Sequence, residues 1–365
     1  MNRMDSLQKA RETINRIDKE MAVLFTERME AAKEVAKYKR KHGLQITDAA
    51  REEEVIARNS SLIEDENLRS YYVNFLRNNI ELSKTLQHRM LDGMRVAYSG
   101  GEGAFANIAA LRAFPDAVAV PYHDFRAAYE AVEKGECDCA MLPVENSSNG
   151  DVGNVMDLAF FGSLYINGIY DIDVIQNLLA VKGATIDSIK EVISHSQALG
   201  QCADYIHRHG FKQTQAVNTA WAAKQVAEMG RTDVAAIASE EAGEKYGLQK
   251  IESHINGSNI NTTRFAVFTR TPKSESAGDN QFVMLFTVNN HAGSLGRAVS
   301  VIGEYGFNLR ALKSRPNKEL AWSYYFYAEG EGNINSPEGE AMLKELHKCC
   351  NTVRVIGSFE KEMNI

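Results

Sequence analysis

The chain has 365 residues, 44% of them hydrophobic, 24% charged and 8% aromatic, an ordinary globular composition that excludes disorder, collagen and a disulfide scaffold. Forty-one basic against 48 acidic side chains leave a net charge of −7, which gives no general electrostatic reason to bind nucleic acid or an anionic membrane. At roughly 150 residues per domain the length predicts two or three domains. The opening M-N-R-M-D-S-L-Q-K-A lacks the apolar core of a secretory signal, and no segment approaches the roughly 20 apolar residues of a membrane helix. Cys137, Cys139, Cys202, Cys349 and Cys350 are odd in number and irregularly spaced. They read as reduced thiols rather than disulfides or zinc ligands, and a cytoplasmic location is expected.

No proline precedes Pro115. Residues 1–92 are poor in Gly and rich in Ala, Glu, Lys, Leu and Arg, with turn signals only around His42–Gly43 and Asn59–Asp65. Three helices are predicted, over about 5–41, 48–60 and 66–90. On the first, Leu7, Ile14, Ile17, Met21, Leu24, Phe25, Ala32, Val35 and Ala36 form an apolar stripe at helical spacing. Arg11, Arg28 and Lys39 lie on the same stripe, where a cation is costly unless paired. One such residue reads as snorkelling or a buried ion pair; three favour an anion site. Arg28 and Lys39 share a face at a separation of roughly 16 Å and can bracket a small molecule. Arg11 lies roughly 26 Å from Arg28 along the axis, so if all three serve one site, Arg11 comes from a second copy, which predicts a dimer. Asp48 is a plausible N-cap, followed by Arg51 and Glu52, and the third helix carries Ser83 and Gln87 one turn apart.

Leu7 through Arg11, E-R at Glu27–Arg28, K-Y-K at Lys37–Lys39, D-A-A-R-E at Asp48–Glu52 and S-K-T-L-Q at Ser83–Gln87 resemble the all-helical chorismate mutases. That resemblance implies an intertwined dimer with sites drawn from both chains. It assigns Arg11 of the partner chain, Arg28 and Arg51 to the substrate's carboxylates, Lys39 and Gln87 to the ether oxygen, and Asp48 and Glu52 to the hydroxyl side, with Ser83 assisting. By the same resemblance, Lys39 and Gln87 are expected to be the catalytic pair.

From Met94 the texture changes to short β-rich runs (R-V-A-Y-S, A-V-A-V-P, C-A-M-L-P-V, K-E-V-I-S, V-A-A-I-A, R-F-A-V-F-T) alternating with helical stretches, the pattern of an α/β domain over 94–270. Gly101, Gly103 and Ala106 satisfy a loose G-x-G-x-x-A dinucleotide pattern, and the same turn serves any anion at a helix N-terminus. P-V-E-N-S-S-N-G (Pro143–Gly150), S-H-S-Q-A-L-G-Q-C (Ser194–Cys202) and N-T-T-R-F (Asn261–Phe265) place hydroxyl, amide and imidazole groups beside strand ends. Together they resemble prephenate dehydratase, which implies two α/β subdomains around a cleft, like a periplasmic binding protein. By resemblance Thr263 is the essential hydroxyl, and Glu145, Asn146, Ser147, His195, Gln197, Thr219 and Arg264 bind prephenate.

T-P-K-S-E-S-A-G-D-N (271–280) reads as a linker. Residues 280–365 then predict a β-α-β-β-α-β unit. With H-A-G-S-L-G-R (His291–Arg297), G-F-N-L (Gly306–Leu309) and K-S-R-P (Lys313–Pro316), it resembles an α+β ferredoxin-like ACT domain, which pairs with its twin and binds phenylalanine. Gly293, Ser294, Leu295, Asn308, Ser314 and Arg315 would contact that effector. The family commonly has Glu where Lys313 stands and Ala where Ser294 stands. The combined expectation is a multidomain, homodimeric or larger enzyme that converts chorismate to prephenate and prephenate to phenylpyruvate under phenylalanine feedback. Neither reaction implies a metal or organic cofactor. Removing 280–365 is expected to leave a dehydratase that ignores phenylalanine. Two rivals stand beside it: a mutase fused to an NAD-dependent prephenate dehydrogenase, which leaves T-T-R-F unexplained, and a non-catalytic amino-acid sensor.

Overall fold

Three helices make up the first unit of a computed structural model that describes residues 3–257, 261–317, 323–360 and 363–365: α1 (Arg3–Lys41), α2 (Ala49–Ser60) and α3 (Glu66–Asp92). Asp48 caps α2 by accepting from the Arg51 N–H, and Asp65 caps α3 by accepting from Asn67 and Leu68. The stripe on α1 does not become a core as the spacing alone suggests. Ala32 and Ala36 are buried, and α1 packs on α3, but Ile14 is 56% and Leu24 63% exposed, with Leu7, Ile17, Met21, Phe25 and Val35 also open. The residues α3 buries are instead polar: Asn79, Ser83 and Gln87, spaced one turn apart. Within one chain this unit is turned inside out.

The second compact unit spans Arg95–Ile365. Its first lobe takes β1 (Arg95–Ser99), α4 (Phe105–Ala113), β2 (Val118–Tyr122), α5 (Phe125–Glu133), β3 (Cys139–Asn146), β4 (Gly150–Asp151), α6 (Gly153–Phe161) and β5 (Tyr165–Asp173). The chain crosses to a second lobe of β6 (Asn177–Ala180), β7 (Glu191–Ser194), α7 (Ser196–Gln201), α8 (Ala203–His209), β8 (Lys212–Gln215), α9 (Thr219–Met229), β9 (Val234–Ala238), α10 (Glu240–Tyr246) and β10 (Gln249–Glu252). It then returns as β11 (Thr262–Thr269), which inserts antiparallel between β3 and β5. The sheet orders are β16-β5-β11-β3-β1-β2, with β4 on β3, and β10-β6-β9-β7-β8. The two crossing segments bond to each other: Val174 N–H donates to Asn261 O, and Ile255 N–H to Gln176 O.

After β11 come β12 (Gln281–Thr287), α11 (Ser294–Glu304), β13 (Asn308–Pro316), β14 (Tyr324–Glu331), α12 (Pro337–Cys349), β15 (Thr352–Phe359) and β16 (Met363–Asn364). Four of these strands form an antiparallel sheet of order β13-β14-β12-β15, while β16 pairs with β5 of the first lobe. One face of this sheet carries Phe282, Met284 and Phe286 against Ala298, Ile302, Met342 and Leu346 of its own helices. The other face carries Val283, Leu285, Tyr325, Tyr327, Ile356 and Phe359 into the core of the first lobe, with Leu142, Val155, Ile166 and Phe268. Gly357 lets the layers close up, since a Cβ there would lie 2.5 Å from Ile166 O.

Residues 280–365 are therefore not a detachable accessory, and the segment before them is not a free linker. Asp279 is buried and accepts from the Ser276 N–H and the Ser358 hydroxyl. Large apolar side chains contribute about 1.5–3 kcal/mol each when buried, so the six on the inward face carry on the order of 10 kcal/mol, comparable to a domain's whole stability. Truncation at residue 279 is expected to give a protein that binds the dye ANS and melts far below the intact chain. Melting within a few degrees of the intact chain would show that the buried sheet face contributes little.

Candidate active sites

In the helical unit the sequence-predicted cation Arg28 reaches α3. Its Nη1 donates to Asn79 O at 3.0 Å and to the Ser83 hydroxyl, which in turn donates to Asn79 O at 2.8 Å. Burial lowers the pKa of Arg28 from its ordinary value. Gln87 lies one turn beyond Ser83, and its buried Oε1 has no hydrogen-bond partner among the described residues, a cost of about 1–3 kcal/mol that a bound polar group would remove. Lys39 Nζ donates to Ile46 O at 2.6 Å, closing the α1–α2 turn. Glu52 is paired with Lys84 at 3.1 Å, whereas Arg51 pairs with Glu54 on the surface. Asn79 and Lys84 escaped the sequence reading. Asn79 continues the Ser83–Gln87 spacing backwards by one turn, and Lys84 adjoins Ser83, so that spacing was the available signal.

In the two-lobed unit, strands β1, β2 and β3 run parallel, as do β7, β8 and β9. The predicted motifs sit at their C-terminal ends, where open α/β sheets bind ligands. The lobes meet there. The Ser239 hydroxyl, after β9, donates to Gly103 O, after β1, at 2.8 Å. Gly103 has φ +83°, and a Cβ on it would lie 2.8 Å from Ala242 Cα. The turn that matched a dinucleotide pattern thus packs closely against α10 of the second lobe at Gly103, beside a cavity of about 430 Å³ lined by Glu102, Gly103, Asn107, Arg112 and Lys245.

Thr263, on β11, is buried and lies directly across from Asn146 on β3. Asn146 Nδ2 donates to Thr263 Oγ1 at 2.9 Å and to Asn261 Oδ1 at 3.0 Å, while its Oδ1 accepts from the N–H groups of Ser148 and Asn149. The Ser147 hydroxyl accepts from the Thr262 N–H at 3.0 Å. Nearby, a cavity of about 550 Å³ is lined from both lobes by Ser148, Asn149, Ser196, Gln197, Gln201 and Asn261, a volume typical of small-molecule sites. His195 caps α7 by accepting from the Gln197 N–H, and Thr219 opens α9 behind its cap Asn218. Asn261 joins the predicted set because it both lines the cavity and touches Asn146.

Two predicted substrate ligands point elsewhere. Neighbours on a strand face opposite ways, so Arg264 and its cross-strand partner Glu145 turn from the Thr263 side toward the C-terminal sheet. Arg264 pairs there with Glu145 at 3.2 Å and with Glu329 at 2.8 Å, and Lys313 pairs with Glu145 at 2.9 Å. Burial pushes the Glu145 carboxyl up, but Lys313 and Arg264 outweigh it and hold the pKa below its usual value. Glu145 is an anion holding strands, not an acid aimed at the cleft.

The effector candidates also divide. Gly293 takes φ +85° to cap α11, with Ser294 and Leu295 opening that helix, and Asn308 donates to Glu331 at 2.9 Å. Ser314 is exposed further along β13. Six residues of strand, roughly 20 Å, separate it from Asn308. Arg315 is committed within the chain: it grips Asp157 at 2.8 and 3.1 Å, and Asp157 also accepts from the Tyr325 hydroxyl.

Residues 96–273 match the prephenate dehydratase family and residues 10–88 match chorismate mutase type II. Over 99% of its length the chain is 30% identical to the bifunctional chorismate mutase/prephenate dehydratase of Enterobacter agglomerans, spanning 98% of that protein. It is 34% identical to arogenate dehydratase/prephenate dehydratase 2, chloroplastic, of Arabidopsis thaliana, across 73% of this chain and 72% of that one. Among solved structures, the prephenate dehydratase of Arthrobacter aurescens in complex with L-Phe gives a TM-score of 0.68 at 25% identity, covering 73% of this chain and 90% of that one.

Proposed function

The chain belongs to the bifunctional chorismate mutase/prephenate dehydratase family and carries both activities, and on that premise we propose which residues perform them, in what assembly and under what control. The conversion of chorismate to prephenate is a pericyclic rearrangement that needs no nucleophile. The protein supplies a compact conformer and fixed positive charge where the breaking C–O bond gathers electrons. Arg28, seated on Ser83 and Asn79, and Arg51 take carboxylates, for which the guanidinium fork is suited; Lys39 is a point charge for the ether oxygen. Gln87 joins Lys39 there, its unpartnered amide oxygen marking a polar position that wants a ligand. Asp48 and Glu52 serve the hydroxyl side.

The assembly is a homodimer with shared mutase sites, Arg11 arriving from the partner. The observation supporting this is the exposed line Leu7, Ile14, Ile17, Met21, Leu24 and Phe25 on α1, an apolar surface of the kind partners cover.

The dehydratase acts between the lobes. Prephenate gains aromaticity as its ring carboxylate leaves as carbon dioxide and its ring hydroxyl departs as water. The carrying observation is the Asn146–Thr263 bond. Because Asn146 occupies an acceptor lobe of Oγ1, the Thr263 proton is left to donate. A free Thr is a poor acid, so Thr263 donates a hydrogen bond to the departing hydroxyl, and the proton that completes the water molecule is drawn from solvent, leaving Oγ1 protonated at the end of the step. Asn146, Ser147, Asn261, His195, Gln197 and Thr219 bind and orient prephenate around it.

Residues 280–365 act as an ACT domain that takes phenylalanine, as the Arthrobacter relative holds L-Phe. Gly293, Ser294, Leu295 and Asn308 form one side of that site. The strand length between Asn308 and Ser314 means that Ser314 meets the same small effector only from a second copy. Feedback inhibition requires phenylalanine to bind the less active conformation better.

Thr263→Ala is expected to abolish phenylpyruvate formation while chorismate still yields prephenate; coupled assays on one preparation decide it, and loss of both activities in a folded variant counts against the assignment. Mixed Arg11→Ala and Lys39→Ala chains should regain part of the mutase activity that neither homodimer has. No recovery in verified heterodimers sinks the shared site. Calorimetry should detect phenylalanine binding to the intact protein, weakened by Leu295→Asp, and a flat titration at millimolar ligand removes the effector reading.

A further inference from the structure

We infer that Glu329, from the C-terminal sheet, is a positioning residue of the dehydratase centre: together with Lys313 it holds Arg264 and Glu145, and through them the strand pair that sets Thr263 against Asn146. This rests on the reading of Thr263 as the acting hydroxyl.

The argument starts from register. Thr263 faces Asn146, and the next rung of the same ladder is Arg264 facing Glu145, after which the register shifts between Arg264 and Phe265. Ladder bonds are least regular at such a shift, so side-chain contacts carry more of the placement there. On the side away from Thr263, Arg264 Nη2 meets Glu329 Oε2 at 2.8 Å, its Nη1 meets Glu145 Oε2 at 3.2 Å, and its Nε lies 3.7 Å from Asp171 Oδ1. Lys313 Nζ bridges Glu145 Oε1 at 2.9 Å and Asp151 Oδ1 at 2.5 Å. The second oxygen of Glu329 accepts from the buried Tyr327 hydroxyl at 2.9 Å.

The side chains of Glu329, Lys313 and Arg264 are 6%, 12% and 17% exposed. Charges so deeply buried persist only while each is paired, and removing one partner forces the rest to move. Arg264 cannot move without its neighbour Thr263, nor Glu145 without Asn146. A cation at Lys313 engages both Glu145 and Asp151. Neither Glu329 nor Lys313 reaches the cleft, so their effect on chemistry passes entirely through the strand pair.

In the full-length protein, Glu329→Gln keeps size and the acceptor for Tyr327 but removes the charge opposite Arg264. Prephenate kcat is expected to fall about tenfold with KM within about twofold, because what is lost is alignment in the transition state rather than contact with substrate. Lys313→Met, which takes from Glu145 one of its two cations and leaves Arg264 as the other, should act in the same direction. The double variant should lose less than the product of the two, since Arg264 and Glu145 then balance each other. A kcat within about twofold of the parent in both folded single variants overturns the proposal, as does an effect confined to KM or to melting temperature. If neither variant folds, the network is a stability element and the positioning role fails. Thr263→Ala separates the two claims: full turnover there removes the hydroxyl assignment itself, while a dead Thr263→Ala beside a normal Glu329→Gln removes only the positioning role.

Discussion

The insertion of β11 between β3 and β5 is the constraint on which the two-lobed unit depends. The chain leaves the first lobe after β5, builds the second, and must return to close the first sheet. That return draws the two crossing segments together through Val174, Gln176, Ile255 and Asn261. It also puts Thr263 across from Asn146, more than a hundred residues earlier in the chain. The Thr263–Asn146 pairing and the closure of the sheet are therefore one event. Strand alternation then gives β11 two roles: Thr263 turns to one side, while Arg264 turns to the other and anchors the strand in buried charge.

The helical unit obeys a different constraint. A three-helix chain of this length normally hides its apolar stripe, yet here Asn79, Ser83 and Gln87 take the inner positions and the stripe stays outside. Buried polar groups cost free energy unless satisfied. Arg28 satisfies part of the line, and among the described residues Gln87 retains an unmet acceptor. The proposed dimer and substrate would remove both costs, the one by covering the stripe and the other by filling the polar line.

The C-terminal sheet shows how a following layer becomes part of the lobe before it. Its strand β12 is buried on both faces, one against its own helices and the other against the first lobe. Across the second face the apolar contacts are joined by three charged clasps: Lys313 on Glu145 and Asp151, Glu329 on Arg264, and Arg315 on Asp157. These clasps tie the sheet to the β3–β11 strand pair, and packed, paired groups resist independent displacement.

Local patterning determined a great deal. Proline-free, alanine-rich sequence delivered α1, α2 and α3 within a few residues of where periodicity placed them, because helical hydrogen bonds and caps are local. The strands of β-branched runs, such as V-A-A-I-A, were equally legible. Strand β5 was not, because its Asn167–Gly168 step reads as a turn, and β16 is two residues long. The T-T-R-F and V-E-N-S motifs identified the chemistry but could not say which of their side chains faced the substrate. The two faces of β11 separate them: Thr263 meets Asn146 on one side, and Arg264 meets Glu329 of the C-terminal sheet on the other. The uninterrupted F-V-M-L-F run of β12 signals burial on both faces, yet it does not name the partner for the second face. Sequence by itself determined the elements and the family, since local hydrogen bonds, caps and motifs rest on contacts within a few residues. Only tertiary structure decided that Glu145 and Arg264 pair with the C-terminal sheet and that residues 280–365 share a core with the lobe beneath them, because those outcomes depend on long-range pairing of faces and charges.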